Sequence, residues 1–427
     1  MKNSFFFLFV SFLCFNSLSQ NIDKGRIFDN VKLKSDTALS YAIYIPKKVS
    51  TNNLVFVLFD PNGNGVYPIS LYKNIAEQFG IILIGNNTSK NGMEFNVILS
   101  NYSKLMNELY STYKIESKNV ALWGFSGGAK AAMYCANNSK TIQYCIYGGA
   151  YLPLQNPIEC LGFNGTKDMN YTDLLAYSYN QETIGNNKHL QLEFNSKHAW
   201  PDSIVALNAF RWYLLKKMQK KEMPQDKIFI AQCFLSFKTE FDKALSAKKY
   251  RQAFIVGKKS ILTMDKMFDV SYFKSNVAKI VVSEQFKKEI KTLQANYQKE
   301  TTTKENYQKD FLNKDSIYWK NEIEKLNQNI KTDKTGINER LLGFLSLAGY
   351  SYALQSFNEN NIPNLEKILY IYQHADPANP EQALMRAKLF VLKKDVTQAK
   401  ACLQEAIDLG IDKSRIDNDA VLKATYN

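Results

Sequence analysis

A serine set between glycines is the residue of this chain best placed to do chemistry. The segment GFSGG, residues 124–128, fits the pattern G-x-S-x-G and carries Ser126 at its centre. An apolar run typical of a buried strand precedes it, and small helix-forming residues follow it. A sharp strand-to-helix turn of this kind exposes the serine hydroxyl at the carboxyl end of a sheet, beside the positive end of a helix dipole. Ser126 is therefore a candidate nucleophile, with a plain tight turn as the alternative.

A serine nucleophile needs a base, and the base needs a carboxylate that orients it. The chain has three histidines. His374 lies in helical sequence, His189 begins an apolar run that predicts a strand, and His198 lies in the loop after that run. The chain order for such a turn is serine, acid, histidine, so His198 is the predicted base. A histidine base predicts activity that rises through about pH 6–7, and so few histidines do not favour a metal site.

The orienting acid should follow the strand that comes before the histidine's strand. Asp168 stands there, at the end of the sequence GTKD. A plain loop residue or a helix N-cap is the alternative role for Asp168, and Asp173 is a second candidate for the acid. Asp202 comes after the histidine, so it is predicted to be the N-cap of the next helix.

An oxyanion hole would complete the site, because donors aimed at the developing charge are each worth roughly 2.7–4 kcal/mol of the barrier. One donor should be the backbone N–H of Gly127, the residue after the nucleophile. The other should come from the loop LFDPNGNG (residues 58–65), where Gly63 and Gly65 would allow the backbone to come close to a substrate. We choose the Asn64 N–H as this second donor, and a simple β-turn is the alternative for the loop.

The first half of the chain has the pattern of a framework for these groups. From about residue 21 onward, apolar runs such as NLVFVLF, NVALWG, ECLGFNG and HLQLEF alternate with helical patterns. Continuous apolar strands separated by helices predict an α/β domain with a mostly parallel sheet and flanking helices. After Pro224 the strand-like runs disappear and the sequence is helical. The length of 427 residues also favours two domains, which we place at 20–223 and 224–427.

The helical half contains an apolar spacing that recurs after 34 residues, the period of tetratricopeptide repeats. Each such helix pair buries one face on the next, so the spacing predicts an all-α tetratricopeptide-like domain, with an irregular helical bundle as the alternative. Residues 264–335 match the repeat least, and the highly polar stretch 289–315 within them suggests one long exposed helix. The recurring residues are Ala353, Leu365, Leu369 and Tyr372, followed by Ala387, Ala399, Leu403 and Ala406.

Residues 1–19 have the pattern of a secretory signal peptide. Lys2 supplies the positive charge, residues 5–13 form the apolar run, and residues 17–19 are small enough for cleavage. The run is shorter than the about 20 residues that span a membrane, so we expect an exported protein, periplasmic or secreted, without a stable membrane span. Lipidation at Cys14 and a buried N-terminal helix are the alternatives.

The composition is that of an ordinary soluble protein, with 45% hydrophobic and 22% charged residues. The net charge of +14 is divided almost evenly between the halves. No nucleic-acid motif accompanies this charge, so solvated surface is the preferred interpretation. Cys135, Cys145 and Cys160 lie in apolar surroundings and are predicted to be buried thiols, although an exported protein also allows a disulfide among them.

Three segments in the required chain order carry a resemblance to a known family. They are the elbow GFSGGAK, the acid loop GTKD and the histidine loop KHAWP. With them, residues 21–223 resemble the α/β-hydrolase fold, and in particular bacterial esterases, depolymerase-like enzymes and carboxylesterases. The resemblance implies that Ser126 is the nucleophile, Asp168 the acid and His198 the base. Many relatives have His-Gly at the oxyanion loop, where this chain has Asn-Gly.

The expected function is hydrolysis of an ester or a related acyl bond by an exported serine hydrolase, without metal or cofactor. The alternative is an interaction protein whose helical repeats bind a partner protein, with a hydrolase-fold domain that is not catalytic. All candidate catalytic residues precede Met223, so the helical half is expected to be dispensable for the chemistry. The segment 171–188 is the expected wall of the substrate pocket.

Overall fold

The computed structural model describes residues 22–423, so the predicted signal peptide and the alternative lipid site at Cys14 lie outside the described residues. Within that range a single eight-stranded sheet forms the centre of the first half. Its strands are β1 (Ile27–Lys32), β2 (Ser40–Tyr44), β3 (Val55–Phe59), β4 (Ile82–Asn86), β5 (Val120–Phe125), β6 (Tyr144–Gly148), β7 (Glu159–Gly165) and β8 (His189–Phe194). Their order across the sheet is β1-β2-β4-β3-β5-β6-β7-β8. The strand β2 is antiparallel to both of its neighbours, and the remaining pairs are parallel.

Helices cover both faces of this sheet. They are α1 (Val66–Phe79), α2 (Phe95–Tyr113), α3 (Gly127–Asn137), α4 (Tyr171–Thr183) and α5 (Ser203–Gln219). One face is packed by α2, α3 and α4 through residues such as Tyr102 and Leu174, and the other by α1 and α5 through Tyr72 and Phe210. Every residue of β3 and β5 is buried, as their unbroken apolar runs predict. The predicted α/β fold class with a mostly parallel sheet is confirmed.

The second half of the described chain is all-α, as predicted. Its helices are α6 (Lys227–Ser246), α7 (Tyr250–Met264), α8 (Ser271–Val282), α9 (Glu284–Asp310), α10 (Ser316–Ile330), α11 (Ile337–Asn358), α12 (Ile362–Ala375), α13 (Pro380–Leu392), α14 (Val396–Asp408) and α15 (Lys413–Asp417). The eight recurring apolar residues are each at most 2% exposed, and α11 packs on α12 as α13 packs on α14. The long polar helix α9 has 27 residues, of which Glu300 and Tyr307 are buried. None of the helices in residues 22–423 is long and apolar enough to cross a membrane.

The predicted buried thiols are found as expected. Cys135, Cys145 and Cys160 are buried and unpaired, although Cys145 and Cys160 lie opposite each other on β6 and β7. Burial raises the pKa of Cys145 to about 12, so this thiol stays protonated and unreactive near neutral pH. The cysteines of the core therefore contribute packing and not chemistry.

The two halves are in direct contact along α5. Arg211 Nη1 donates to Ser236 Oγ over 3.1 Å, and Lys216 Nζ donates to the carbonyl oxygen of Leu262 over 3.0 Å. The Lys216 ammonium is buried and also lies 3.0 Å from a carboxylate oxygen of Glu159. Separating the halves would remove one partner of a buried cation, which is costly. The helical half is thus attached to the sheet by more than the segment that connects α5 to α6.

Candidate active site

Ser126 stands on a strained turn between β5 and α3. Its φ of 54° and ψ of −126° lie outside the usual regions for a residue with a side chain. Such a conformation costs on the order of 1–3 kcal/mol and persists where the surrounding packing enforces it. A Cβ on Gly124 would lie 2.2 Å from the Gly128 carbonyl oxygen, and one on Gly128 would lie 1.9 Å from that of Phe59. The flanking glycines therefore permit the close packing that holds the turn.

The structure brings together the three residues predicted to act as nucleophile, base and acid. Ser126 Oγ lies 2.9 Å from His198 Nε2, and His198 Nδ1 lies 2.9 Å from each carboxylate oxygen of Asp168. Asp168 is 1% exposed, whereas the His198 side chain is 23% exposed. When Nδ1–H donates to the carboxylate, the lone pair of Nε2 faces the serine hydroxyl. In this geometry the imidazole can accept the hydroxyl proton.

The imidazole of His198 is held in place by its neighbours. Its ring lies against Phe125, with 4.7 Å between the ring centroids, and a Cβ on Gly149 would stand 2.9 Å from His198 Cε1. Asn170, for which no catalytic role was predicted, completes this arrangement. Its Nδ2 donates to the Gly149 carbonyl oxygen over 2.6 Å, and its N–H donates to Asp168 Oδ1 over 2.8 Å. Asn170 therefore joins the loop of the acid to the loop that packs on the imidazole.

The other candidate residues from the sequence lie where their contacts are those of structural residues. His189 is 2% exposed on β8, and its Nε2 lies 2.8 Å from the Tyr147 hydroxyl. Burial lowers the pKa of His189 to about 3, so this ring is neutral near pH 7. Asp173 lies in the first turn of α4, where burial raises its pKa. Asp202 accepts from the Val205 N–H over 2.9 Å and so caps α5, as predicted.

Asp60 is the hydrogen-bonding centre of the loop that follows β3. Its Oδ1 accepts from the N–H of Asn62 over 2.9 Å and from that of Asn64 over 3.4 Å, and its Oδ2 accepts from Trp200 Nε1 over 3.2 Å. Burial raises the pKa of Asp60, and these hydrogen bonds oppose the rise. The N–H of the predicted oxyanion donor Asn64 is thus directed at Asp60. Because Trp200 closely follows His198 in the chain, Asp60 also joins this loop to the loop of the histidine.

The glycines of the loop after β3 serve contacts within the protein. A Cβ on Gly65 would stand 2.4 Å from the carbonyl carbon of Gly85 in β4. Gly63 has a φ of +70°, and a Cβ there would lie 3.2 Å from the carbonyl oxygen of Ser89. The close approach of neighbouring segments is thus a reason for both glycines, in addition to the approach of a substrate expected from the sequence.

The loop that carries Asp168 is also held by the helical half. Arg340 of α11 is 2% exposed, and its Nη1 donates to the carbonyl oxygens of Thr166 over 2.5 Å and Thr335 over 2.7 Å. Its Nε and Nη2 donate to Glu300 Oε2 over 2.8 and 2.5 Å. A buried ion pair of the second half therefore fixes a carbonyl group just before the predicted acid.

Lys304, one turn after Glu300 on α9, makes a second contact with the loop of Asp168. Its Nζ donates to the carbonyl oxygen of Met169 over 2.7 Å and to Thr172 Oγ1 over 3.1 Å. At the surface, Lys167 pairs with Glu339 over 2.8 Å. The helical half thus holds the chain on both sides of the acid. These contacts come from the half of the chain that we expect, from the sequence, to be dispensable for the chemistry.

A cavity of about 530 Å³ lies between α4 and the helical half. Tyr171 lines it from the first half, and Arg251 and Tyr297 line it from the second. Tyr177, further along the expected wall of the substrate pocket, is buried in the core, and Tyr179 is 66% exposed. The tyrosines of this segment thus pack in the core, face solvent or border the cavity between the halves.

Comparisons with known proteins give matches among solved structures, whereas no protein-family model and no curated protein matches the chain. The chain is similar to a carboxylesterase from Mesorhizobium loti (16% identity, TM-score 0.34, covering 42% of this chain and 96% of that one). It is also similar to a Bacillus cereus carboxylesterase (17% identity, TM-score 0.34, covering 42% of this chain and 96% of that one). A third similar structure is a hyperthermophilic esterase from the archaeon Pyrobaculum calidifontis (11% identity, TM-score 0.34, covering 42% of this chain and 78% of that one). These identities and TM-scores are too low to support a functional assignment, which must therefore rest on the geometry of this chain.

Proposed function

We propose that the first half of the chain is a serine hydrolase that cleaves an ester or a related acyl bond. The observation that supports this proposal is the continuous row of Asp168, His198 and Ser126, with 2.9 Å at each contact. Ser126 Oγ attacks the substrate carbonyl while His198 Nε2 takes the hydroxyl proton. His198 then gives this proton to the leaving alcohol, and a water molecule repeats the sequence to release the acid. Asp168 orients the imidazole and stabilises its protonated form.

The surroundings of Ser126 support the same proposal. Gly127 is the first residue of α3, and the N–H groups of a helix's first turn have no acceptor inside the helix. The Gly127 N–H can therefore donate to the substrate oxygen that becomes negative, and the dipole of α3 favours charge at the same place. The strained backbone of Ser126 fits this proposal, because such strain is concentrated at functional sites.

Hydrolysis of p-nitrophenyl esters of graded acyl length tests the proposed function and the proposed base together. We expect turnover by the wild-type chain. The His198→Ala variant should lose on the order of 10⁶-fold in kcat, because the serine then has no group to take its proton. The His189→Gln variant should keep its kcat, since His189 is buried on β8 and bound to Tyr147.

The dependence of the free energy of unfolding on pH provides a control for the His198→Ala and His189→Gln variants. The pKa of His189 is about 3 in the folded chain and about 6.5 when unfolded. Between these values the unfolded chain binds more protons, so the free energy of unfolding falls as the pH falls from about 6.5. The free energy of unfolding of His189→Gln should therefore fall less over this pH range than that of the wild type. An inactive His189→Gln beside an active His198→Ala would contradict the assignment of the base.

The helical half supports a second proposal, a tetratricopeptide-like module that docks a partner protein. Leu347, Tyr350 and Leu354 lie at helical spacing along α11 and are 42%, 36% and 40% exposed. This module is compatible with a catalytic first half. In the alternative without catalysis, Ser126 is not activated, and a fluorophosphonate probe should leave the chain unlabelled. Labelling that depends on Ser126 would exclude that alternative.

We also propose that the chain is exported after cleavage next to Ser19 or Gln20, which rests on the pattern of its first 19 residues. N-terminal sequencing of the exported protein should then begin at Gln20 or Asn21. A retained Met1, or a lipid on Cys14, would contradict this proposal.

A further inference from the structure

Acyl transfer at Ser126 needs two donors for the oxygen that becomes negative, and only one of them is evident. The Gly127 N–H can supply the first. In a strand-turn-helix site of this kind, the second is usually a backbone N–H from the loop after the early strand, here β3. The inference that follows concerns this second donor and rests on the proposed function.

The backbone N–H groups of that loop are already used within the protein. Pro61 has no N–H. The N–H groups of the next four residues all have acceptors at hydrogen-bond distance, which would have to be given up before any of them could serve a substrate. The bonds run from Asn62 (2.9 Å) and Asn64 (3.4 Å) to Asp60 Oδ1, from Gly63 (3.1 Å) to the Asp60 carbonyl oxygen, and from Gly65 (2.9 Å) to Asn87 Oδ1.

The side chain of Asn91 occupies the space beside Gly127 instead. A Cβ on Gly127 would lie 1.6 Å from Asn91 Oδ1 and 3.3 Å from Asn91 Nδ2. The carboxamide therefore fills the position that a side chain at residue 127 would take. The Asn91 N–H donates to the Pro61 carbonyl oxygen over 2.8 Å, which fixes its loop against the loop after β3. Among the described residues, no hydrogen bond engages the Asn91 carboxamide.

We propose that the Asn91 carboxamide is the second oxyanion donor. A primary amide has two N–H donors, and its oxygen and nitrogen exchange places by a half-turn about the last side-chain bond. That half-turn places Nδ2 next to Gly127, where it and the Gly127 N–H can donate to the same substrate oxygen. The negative charge of the tetrahedral intermediate then lies between a backbone donor and a side-chain donor.

This proposal also gives a reason for the glycine that follows the nucleophile. Gly124 and Gly128 are required by contacts with neighbouring backbone, but the nearest neighbour of Gly127 is the Asn91 side chain. Any side chain at residue 127 would displace the carboxamide. Gly127 and Asn91 therefore act as a pair, in which the first makes room for the donor that the second provides.

Steady-state kinetics with a p-nitrophenyl ester test the proposal. The Asn91→Leu variant should lose about 10²–10³-fold in kcat, while KM changes by less than about twofold, because the donor acts on charge formed in the transition state. The neighbouring substitution Lys90→Leu is the matched control and should leave kcat unchanged. Gly127→Ala should also lower kcat, and the double variant should be no slower than Asn91→Leu alone, since both changes remove one interaction.

Asn91 is exposed, so the melting temperature and the pH profile of the variants should match those of the wild type. If the wild type is active and Asn91→Leu retains the kcat of Lys90→Leu, the proposal is wrong and a backbone N–H such as that of Asn64 supplies the donor. Additive losses for Gly127→Ala and Asn91→Leu would also overturn it. A wild-type chain that neither turns over esters nor reacts with a fluorophosphonate would overturn the proposed function and this proposal with it.

Discussion

Replacing the proposed nucleophile, Ser126→Ala, should lower kcat on p-nitrophenyl esters by on the order of 10⁶-fold and abolish labelling by a fluorophosphonate. In the proposed reaction the Ser126 hydroxyl oxygen forms the acyl intermediate, and no other hydroxyl is placed 2.9 Å from His198 Nε2 among the described residues. Alanine keeps a Cβ at the strained position, so the fold should persist. Full labelling or full turnover of Ser126→Ala would contradict the assignment of the nucleophile.

The variant Ser126→Gly separates the proposed catalytic role of this residue from the strain of its backbone. Glycine adopts a φ of 54° without a steric penalty, whereas serine and alanine do not. Relief of about 1–3 kcal/mol of strain, less the greater freedom of glycine in the unfolded chain, should make Ser126→Gly more stable than Ser126→Ala by about 1 kcal/mol. Urea unfolding measures this difference. Equal stabilities would show that the turn is not strained.

Removing the buried arginine of the helical half, Arg340→Met, should lower the free energy of unfolding by about 3–5 kcal/mol. Among residues 22–423, Glu300 would keep only Lys304 as its partner, 2.8 Å away. The carbonyl oxygens of Thr166 and Thr335 would both lose their donor inside the protein. Because Thr166 lies in the loop of Asp168, kcat should fall as well, through poorer orientation of the histidine. Chemical unfolding and ester hydrolysis measure the two effects.

Two further variants make this result specific. Arg340→Lys keeps the charge but loses the fork that reaches Glu300 and the two carbonyl groups together, so it should recover only part of the kcat. Arg415→Met removes an arginine that is 49% exposed and pairs with Glu381 of α13, and should cost less than about 1 kcal/mol. Wild-type stability and kcat in Arg340→Met would show that the helical half does not support the acid.

Much of the sheet and the order of the catalytic candidates could be predicted because local patterns determine them. The buried strands β3 and β5 have unbroken apolar sequences. Ser126, Asp168 and His198 each follow the carboxyl end of a parallel strand, and these ends lie on the same edge of the sheet. Residues that are far apart in the chain are brought together by topology, which the alternation of strands and helices already specifies.

The strand β1 is not among the apolar runs that predict strands, because an edge strand has a weaker pattern. Its sequence IFDNVK is partly exposed, pairs with β2 on one side only, and has an irregular register between Phe28 and Val31. An edge strand of this kind needs no continuous apolar run. The direction of the Asn64 N–H could not be predicted either, because it depends on the Asp60 side chain, which no backbone pattern reveals.

The support of the acid loop could not be predicted, because its partners are remote in sequence. Arg340 lies 174 residues from Thr166. Glu300 belongs to the polar stretch of α9, where a charged residue is most simply interpreted as surface. Only the packing of α9 and α11 against the first half shows that this carboxylate is 0% exposed and paired.

The contact between Arg340 and the acid loop means that the first half of the chain is synthesised before the residues that support its acid loop. A nascent chain that has left the ribosome as far as α8 contains Ser126, Asp168 and His198 but lacks the buried groups that fix the acid. These groups arrive only when α9 and α11 have been synthesised and have folded back onto the first half. Full activity of the proposed hydrolase would thus be a property of the finished polypeptide, because a fragment that ended after α5 would contain every proposed catalytic residue but a poorly held acid.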